Sequence, residues 1–161
     1  MPEALSGENA TNIVERLGDE ALAGLVANAD DAVIVADSSG VICYWNRAAE
    51  AMFGHSEQDA VGASLDLIIP EKLRERHWDG FRRVMATGET EYAGRMLAVP
   101  AMRSDGARIS VEFTVTLLYD AAGRLWGIGA IVRDVTARWE KQRALDRRLH
   151  ELERKLAAVR A

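Results

Sequence analysis

The chain has 161 residues, 48% of them hydrophobic, and its 20 basic and 25 acidic residues give a net charge of −5. This length predicts one average domain with flanking helices, and the acidic balance argues against a nucleic-acid-binding protein. The single cysteine excludes an internal disulfide and a cysteine-built zinc site. There is no apolar run of bilayer length and no signal-peptide pattern, so we expect a cytoplasmic protein without a membrane partner.

Two strands are predicted in the first third of the chain, after a helix that begins near Asp19. The apolar runs 32–36 and 41–45 flank the turn sequence DSSG, which predicts a β-hairpin. Cys43 lies in the second run, where we expect it to fill the core. Asn46 and Gly54 are suited to cap and end a short helix between them.

The central stretch PEKLRERHWDGFRRVMATGE predicts a long helix that starts at Pro70 and stops at Gly88. His77 shares a helical face with apolar residues three or four positions away. It is therefore either a core histidine with a hydrogen-bond partner or a histidine that points into a cavity at a ligand. The apolar residues of this face are Leu73, Phe81 and Val84.

Three strands are predicted in the second half of the domain. Residues 92–102 are extended, with Pro100 suggesting an edge strand or a kink. Residues 109–117 alternate apolar and polar side chains, which predicts a strand with one buried face. In a last strand over 125–132, Gly127 and Gly129 occupy alternate positions and predict room on one face for a bulky group.

The final segment predicts a helix with an a/d heptad seam. The sequence contains no second apolar helix that would cover this seam. We expect a dimer through parallel helices, and the alternative is a helix that folds back on the domain. The seam consists of Leu145, Leu149, Leu152, Leu156 and Val159.

The order of elements and two local motifs resemble the PAS domain, a sensor module. One motif has Asn46 and Ala48 in an N-x-A pattern, and the other has Asp134 and Thr136 in a D-[IV]-T pattern. The resemblance covers about residues 20–136. It implies an α+β fold with a five-stranded antiparallel sheet, with short helices and one long helix on one face and a small-molecule pocket between. The implied parts are a flexible segment (1–18), the sensor domain with its N-terminal flanking helix (19–135) and a coiled-coil signalling helix (136–161).

The stretch IIPEKLRERHWDGFRRVMATGE is similar to the haem-binding PAS domains of FixL-type oxygen sensors. In that family the histidine of this helix ligates the iron of haem b, so the resemblance implies that His77 is a metal ligand and that the domain senses a diatomic gas (O2, CO or NO). Arg95 corresponds to a family arginine that meets the gas or a haem propionate. Phe113 and Val115 correspond to the distal residues. The other residues expected to contact the cofactor are Leu73, Phe81, Val84, Met96 and Ile128.

A second interpretation stays open, namely a PAS dimerisation and signal-relay module that binds another small molecule, a flavin or no cofactor. The flavin photoreceptors of the superfamily carry a cysteine in a GRNCRFLQ-like motif, and the stretch VGASLDLIIP has none. We expect no enzyme activity, because the sequence offers no paired acid and base, phosphate loop or activated nucleophile. The expected partners are a gas or other small molecule, a second copy of the chain and an unidentified downstream signalling protein.

Overall fold

A five-stranded antiparallel sheet with helices against one face organises residues 18–90 and 95–160, which a computed structural model of the chain describes. The segment predicted to be flexible, except for residue 18, and the start of the extended run at Tyr92 lie outside the described residues. The elements are α1 (18–27), β1 (Ala32–Asp37), β2 (Ile42–Trp45), α2 (Arg47–Phe53), α3 (Glu57–Ala60), a 3-10 turn (Leu65–Leu67), α4 (Glu71–Thr87), β3 (Leu97–Met102), β4 (Arg108–Tyr119), β5 (Leu125–Asp134) and α5 (Thr136–Arg160).

The strands lie in the order β2-β1-β5-β4-β3, so the first and last strands are neighbours at the centre of the sheet. Ala32 at the start of β1 pairs with Val132 near the end of β5. The hairpin of β1 and β2 and the alternating strand β4 are confirmed. Pro100 lies in the edge strand β3, where a missing N–H removes no ladder bond that the sheet needs.

One half of the space between sheet and helices is closely packed, and we call it the closed half. It is formed by β1, β2, α2 and α3. Trp45 and Phe53 are both fully buried there, with ring centroids 5.4 Å apart. The Trp45 indole N–H donates to the His55 carbonyl oxygen over 3.1 Å, so its one polar atom is satisfied.

Asn46 ties three elements of the closed half together. Its side-chain oxygen accepts from the backbone N–H groups of Val33 (2.9 Å) and Ala49 (3.0 Å), the second of which caps α2. Its side-chain nitrogen donates to the carbonyl oxygens of Val26 and Asp31, each over 3.1 Å. Because its side-chain amide makes all of these hydrogen bonds, the buried Asn46 holds α1, β1 and α2 in fixed relative positions.

Cys43 is exposed, so the prediction that it fills the core is wrong. The pairing of β1 with β2 shifts register between Val35 and Ala36. Because of this shift, Ile42 and Trp45 are both buried although they are three positions apart, and Cys43, the first of the two residues between them, is turned outward. The thiol donates to the Val35 carbonyl oxygen over 3.5 Å.

The prediction of room for a bulky group beside the two glycines of β5 is wrong at Gly127. A side-chain carbon on Gly127 would overlap the carbonyl oxygen of Ala36 in the neighbouring strand. A side-chain carbon on Gly129 would lie 3.7 Å from Leu118. Both glycines alternate with the inward-facing residues of β5 and therefore lie on the outer face of the sheet, where the neighbouring strand fills the space at Gly127 but not at Gly129.

Helix α5 leaves the sheet after the buried residue Val135 and projects away from it. The heptad seam is uncovered by any part of the chain that the structure describes, so the alternative in which the helix folds back is not observed. The seam residues are 51% to 86% exposed. Within residues 18–90 and 95–160, no helix combines the length and the apolar character that crossing a bilayer requires.

Candidate functional site

Helix α4 carries most of the predicted site. It begins after Pro70, whose φ of −53° suits a helix start, and Glu71 places a negative charge in the first turn. It ends at Gly88, whose φ of 66° is left-handed and whose N–H donates to the Val84 carbonyl oxygen. The sequence prediction of both ends is confirmed.

His77 lies near the middle of α4, half-buried and in contact with two aromatic rings. Its ring centroid is 4.9 Å from that of Trp78, edge to face, and 6.0 Å from that of Phe81. Its Nδ1 is buried, and no hydrogen-bond partner for it exists among the described residues. A buried polar atom without a partner is costly, so this nitrogen is a candidate to interact with a bound group.

Burial lowers the pKa of the His77 imidazole below its usual value of 6.5, and the charge of Asp66 opposes this shift only in part. Loss of hydration disfavours the charged form of the ring. The imidazole is therefore neutral at physiological pH, which is the form that can donate a lone pair to a metal.

On the other side of the domain, α4, the later part of β4 and the earlier part of β5 carry apolar side chains that are only half-buried, and we call this part the open half. The strand register places Phe113, Val115 and Ile128 on the inner face of the sheet, because their cross-strand partners Val132, Ala130 and Leu117 alternate with outward residues. All three are only half-buried. The inner face of the open half is thus apolar but incompletely covered.

The predicted site residues fall into three groups. Leu73 and Val84 are half-buried and Phe81 is buried on the same face of α4 as His77. Phe113, Val115 and Ile128 lie together on the inner sheet face. Arg95 and Met96 are exposed just before β3, next to residues that the structure does not describe, and are not brought together with the other two groups.

A cleft of about 510 Å³ opens at the start of α4. Leu73 is its only lining residue from the predicted site, and Met102 and Arg108 form the opposite wall. His77 does not line it. The cleft therefore borders the open half rather than containing the histidine.

Sequence reasoning missed the group of residues that fixes α4 in place. The Trp78 indole N–H donates to an Asp66 carboxylate oxygen over 2.8 Å, and the Arg74 guanidinium donates to the backbone carbonyl oxygens of Asp66 and Ile69. The Trp78 ring covers Gly40 so closely that any side-chain carbon there would overlap it. The contacts of Trp78 join residues 12 and 38 positions apart, which no local pattern indicates.

A second missed group lies on the outer face, where the helices meet the sheet. Arg133 in β5 makes a two-bond ion pair with Asp31, at 2.6 and 2.9 Å, and Arg138 in α5 pairs with Glu112 in β4. The charge of Glu112 also acts on Arg133. We call this row of alternating charges, Asp31–Arg133–Glu112–Arg138, the outer charge row. The D-[IV]-T motif predicted the junction but not these partners.

The motif itself caps the start of α5. The Asp134 carboxylate accepts from the backbone N–H and the hydroxyl of Thr136, at 2.9 and 2.6 Å. The Thr136 hydroxyl in turn accepts from the Ser110 N–H in β4 over 2.9 Å. The first residue of α5 is therefore fixed to the sheet through short polar contacts.

Comparison with known proteins gives a consistent family. A family model described as the PAS fold matches residues 20–135. An uncharacterized protein of Azorhizobium caulinodans is 42% identical over 118 residues, covering 73% of this chain and 16% of that protein. The sensor protein FixL of Bradyrhizobium diazoefficiens is 32% identical over 129 residues, covering 80% of this chain and 24% of FixL.

The oxygen sensor protein DosP of Escherichia coli is 27% identical over 112 residues, covering 70% of this chain and 14% of DosP. This chain thus spans at most about a quarter of the length of these three relatives. Among solved structures, the PAS domain of a protein from Colwellia psychrerythraea has a TM-score of 0.65 at 20% identity, covering 73% of this chain and 97% of that one, and supports the fold alone. With its sheet order, the capped start of α5 and a family match over residues 20–135, the chain belongs to the PAS-fold family.

Proposed function

We propose that this PAS sensor domain binds haem b through His77, senses a diatomic gas (O2, CO or NO), and passes the signal through helix α5 in a dimer. One observation carries the proposal. His77 stands on the apolar face of α4 with a neutral imidazole and a buried Nδ1 that has no partner among the described residues. Most buried polar side-chain atoms have a hydrogen-bond partner, and among the described residues only this nitrogen and Nε2 of His55 lack one.

The residues present fit haem in two respects. An axial histidine must be neutral, and burial keeps the His77 imidazole in that form. A flat apolar cofactor needs apolar walls, and the half-buried side chains of Val84, Val115 and Ile128 would supply them. When bound, haem would supply an iron atom with an open position for a gas.

The relatives add support of a coarser kind. One of them is named an oxygen sensor and another a sensor protein, and each covers 70% or more of this chain. The match includes the helix that carries His77, and the stretch around it resembles the haem-binding branch of the family. Because the chain spans only part of the length of these relatives, its similarity to them does not identify the activity that the signal controls.

The other residues of the site have simpler roles in this proposal. Phe113 and Val115 exclude water from the inner sheet face because they present only carbon atoms to it. Arg95, exposed ahead of β3, brings a positive charge to the rim, where it would meet a propionate or the gas. Met96 beside it is the apolar contact at the same rim.

The path of the signal follows from strand geometry. Adjacent residues of a strand point to opposite faces, so Phe113 faces the open half while Glu112 faces outward and pairs with Arg138 of α5. A shift of the pocket wall therefore moves the group that holds the output helix. Hydrogen exchange of α5 that is unchanged by cofactor and gas would contradict this path.

An absorption spectrum tests the haem proposal directly. Protein from cells supplied with a haem precursor should show a sharp Soret band, and His77→Ala should lose or shift it, because the axial ligand is gone. Adding free imidazole to His77→Ala should restore the band. The matched control is His150→Ala, since His150 is exposed on α5 and its loss should leave the band unchanged.

Difference spectra with oxygen, carbon monoxide and nitric oxide would then identify the gas. A colourless parent protein that gains no band when hemin is added would end the haem proposal. The remaining function would be the relay module with another small molecule or none, to be sought by mass spectrometry of the native protein.

A further inference from the structure

The cleft at the start of α4 lies outside the proposed haem site. Its volume of about 510 Å³ is within the range of small-molecule sites in proteins. The 3-10 turn and the first turn of α4 form one wall, and the end of β3 and the start of β4 form the other. Because His77 does not line it, what the cleft binds is a separate question from the axial ligand of haem.

Hydrogen bonds fix the two walls of the cleft relative to each other. The Met102 N–H in β3 donates to the Ile68 carbonyl oxygen, at the end of the 3-10 turn, over 2.9 Å. The Arg74 guanidinium in α4 donates to the carbonyl oxygens of Asp66 (3.1 Å) and Ile69 (3.2 Å) in the same region. Strand, turn and helix are therefore joined, and a cleft that is already formed costs a ligand little ordering free energy.

The lining between these walls is mainly apolar. Its apolar members are all half-buried, so each keeps part of its surface in contact with water. An apolar molecule in the cleft would remove this surface from water, which is favourable by about 25 cal/mol per Å². The lining therefore favours an organic molecule over a bare inorganic ion. The apolar residues are Leu67, Ile69, Pro70, Leu73 and Met102.

The charged residues of the cleft leave a positive excess. The Arg74 Nε lies 3.7 Å from an Asp66 carboxylate oxygen, so these two charges largely cancel. Lys72 in α4 and Arg108 in β4 are exposed, and neither makes a hydrogen bond or ion pair with the residues that the structure describes. Glu71 is the one remaining acid among the lining residues. In a chain with a net charge of −5, this cleft is locally suited to an anion.

We propose that this cleft is a second ligand site, which binds a compact apolar carboxylate. The carboxylate lies between Lys72 and Arg108, which approach it from opposite walls, and the apolar body lies on Leu67, Leu73 and Met102. A guanidinium can hold a carboxylate through two parallel N–H bonds, and an ammonium adds a point charge. The site goes beyond the haem proposal and does not depend on it.

An amide NMR titration of the cofactor-free protein tests the position of the site. The probe is cinnamate, and cinnamyl alcohol is the matched neutral probe because it has the same carbon skeleton without the charge. Cinnamate should shift the amides of residues 66–74 and of Met102 in a saturable way, and the alcohol should bind roughly tenfold more weakly. No saturable shift, or shifts that are largest at Val84, Val115 and Ile128, would overturn the proposal.

Removing the two cations tests the charge recognition. Lys72→Gln with Arg108→Gln should raise the Kd for cinnamate roughly tenfold and leave the Kd for cinnamyl alcohol unchanged, because only the carboxylate contacts are lost. Lys141→Gln with Arg143→Gln is the matched control, since both residues are exposed on α5 and the net charge changes equally. Equal effects of the two double variants would show a dependence on net charge alone and would overturn the proposal.

Glu71→Gln tests the sign of the ligand charge from the other direction. It should lower the Kd for cinnamate about two- to threefold, because it removes a like charge from an exposed part of the lining. A higher Kd would mean that the acid attracts the ligand, which contradicts a carboxylate.

The two sites can be distinguished directly. His77→Ala should bind cinnamate like the parent protein, and hemin should not displace cinnamate, because His77 does not line the cleft. Loss of cinnamate binding when hemin is added would show that the cleft is part of the haem site and would overturn the proposal. A failed Soret test leaves the cinnamate result standing, and absent cinnamate binding leaves the haem result standing.

Discussion

The closed and open halves of the domain use similar side chains and reach different degrees of burial. In the closed half, Trp45, Phe53 and Ile42 are fully buried by one another and by β1. In the open half, Val84, Val115 and Ile128 are of the same apolar kind but keep part of their surface in contact with solvent. The two halves differ in how completely neighbouring residues cover these side chains, and not in the types of side chain.

Stability is therefore expected to come mainly from the closed half, and binding from the open half. Hydrophobic stabilisation scales with the apolar area removed from water, so a half-exposed side chain contributes only part of its potential. The apolar area that stays exposed contributes to the free energy of binding when a ligand covers it. The following predictions separate the two halves, from the largest expected effect to the smallest.

Phe53→Ala in the closed half should lower the free energy of unfolding by about 3–5 kcal/mol, because a fully buried ring is replaced by a cavity. Phe113→Ala in the open half should cost roughly half as much in cofactor-free protein, yet weaken hemin binding strongly. Urea unfolding and hemin titration of both variants would show this. Equal losses of stability would mean that the two halves are packed alike.

Gly40→Ala should cost about 2 kcal/mol or more, because it combines backbone strain at a φ of 78° with overlap on the Trp78 ring. The ring would have to leave the surface that fixes α4 beside the open half. Gly106→Ala is the matched control, since its φ is 80° but its surroundings are open, and it should cost only about 1 kcal/mol. Thermal unfolding of both proteins measures the difference, and equal costs would show that Trp78 does not hold the helix.

His77→Leu should raise the stability of the cofactor-free protein by about 1 kcal/mol, because it removes a buried nitrogen without a partner. The parent protein should also lose stability as the pH falls below 6.5, because the unfolded histidine then takes up a proton that the folded, pKa-lowered histidine resists. Unfolding curves between pH 5 and 8 should show a smaller slope for the variant. A less stable variant with an unchanged slope would mean that the imidazole has a partner.

Asp31→Asn should have the smallest effect, a decrease of roughly 1–3 °C in Tm at pH 7, because the ion pair with Arg133 is exposed. The hydrogen bonds from the Arg133 guanidinium lower the pKa of Asp31. The stabilisation is therefore present above the usual pKa of 3.8 and is lost as the pH falls through the lower folded value. Melting curves of both proteins should converge in acid, and a constant gap would contradict the pairing.

Local sequence patterns predicted the helices and strands of this fold and the helix α4 that carries the candidate site. The caps at Pro70 and Gly88 and the alternation in β4 needed only neighbouring residues, and both are confirmed. The face of α4 that holds His77 followed from helical spacing in the same way. The resemblance to the PAS family added the topology, which no short pattern contains.

The remaining features depend on residues that are far apart in the sequence. The partner of Arg133 lies 102 positions away and that of Arg138 lies 26 positions away. The exposure of Cys43 follows from a register shift between two strands, and the fit of Gly127 follows from the backbone of another strand. The residues next to Cys43 and Gly127 in the sequence indicate neither the exposure of the cysteine nor the close fit of the glycine.

The pairing of the first strand with the last has a consequence for the longer proteins in which this family occurs. Since Ala32 lies opposite Val132, the chain arrives from α1 and departs into α5 at neighbouring points of the same sheet. The domain therefore begins and ends at nearby points, so the segments before and after it are attached close together. Evolution can insert or remove such a module between two helices without changing the distance between the parts on either side.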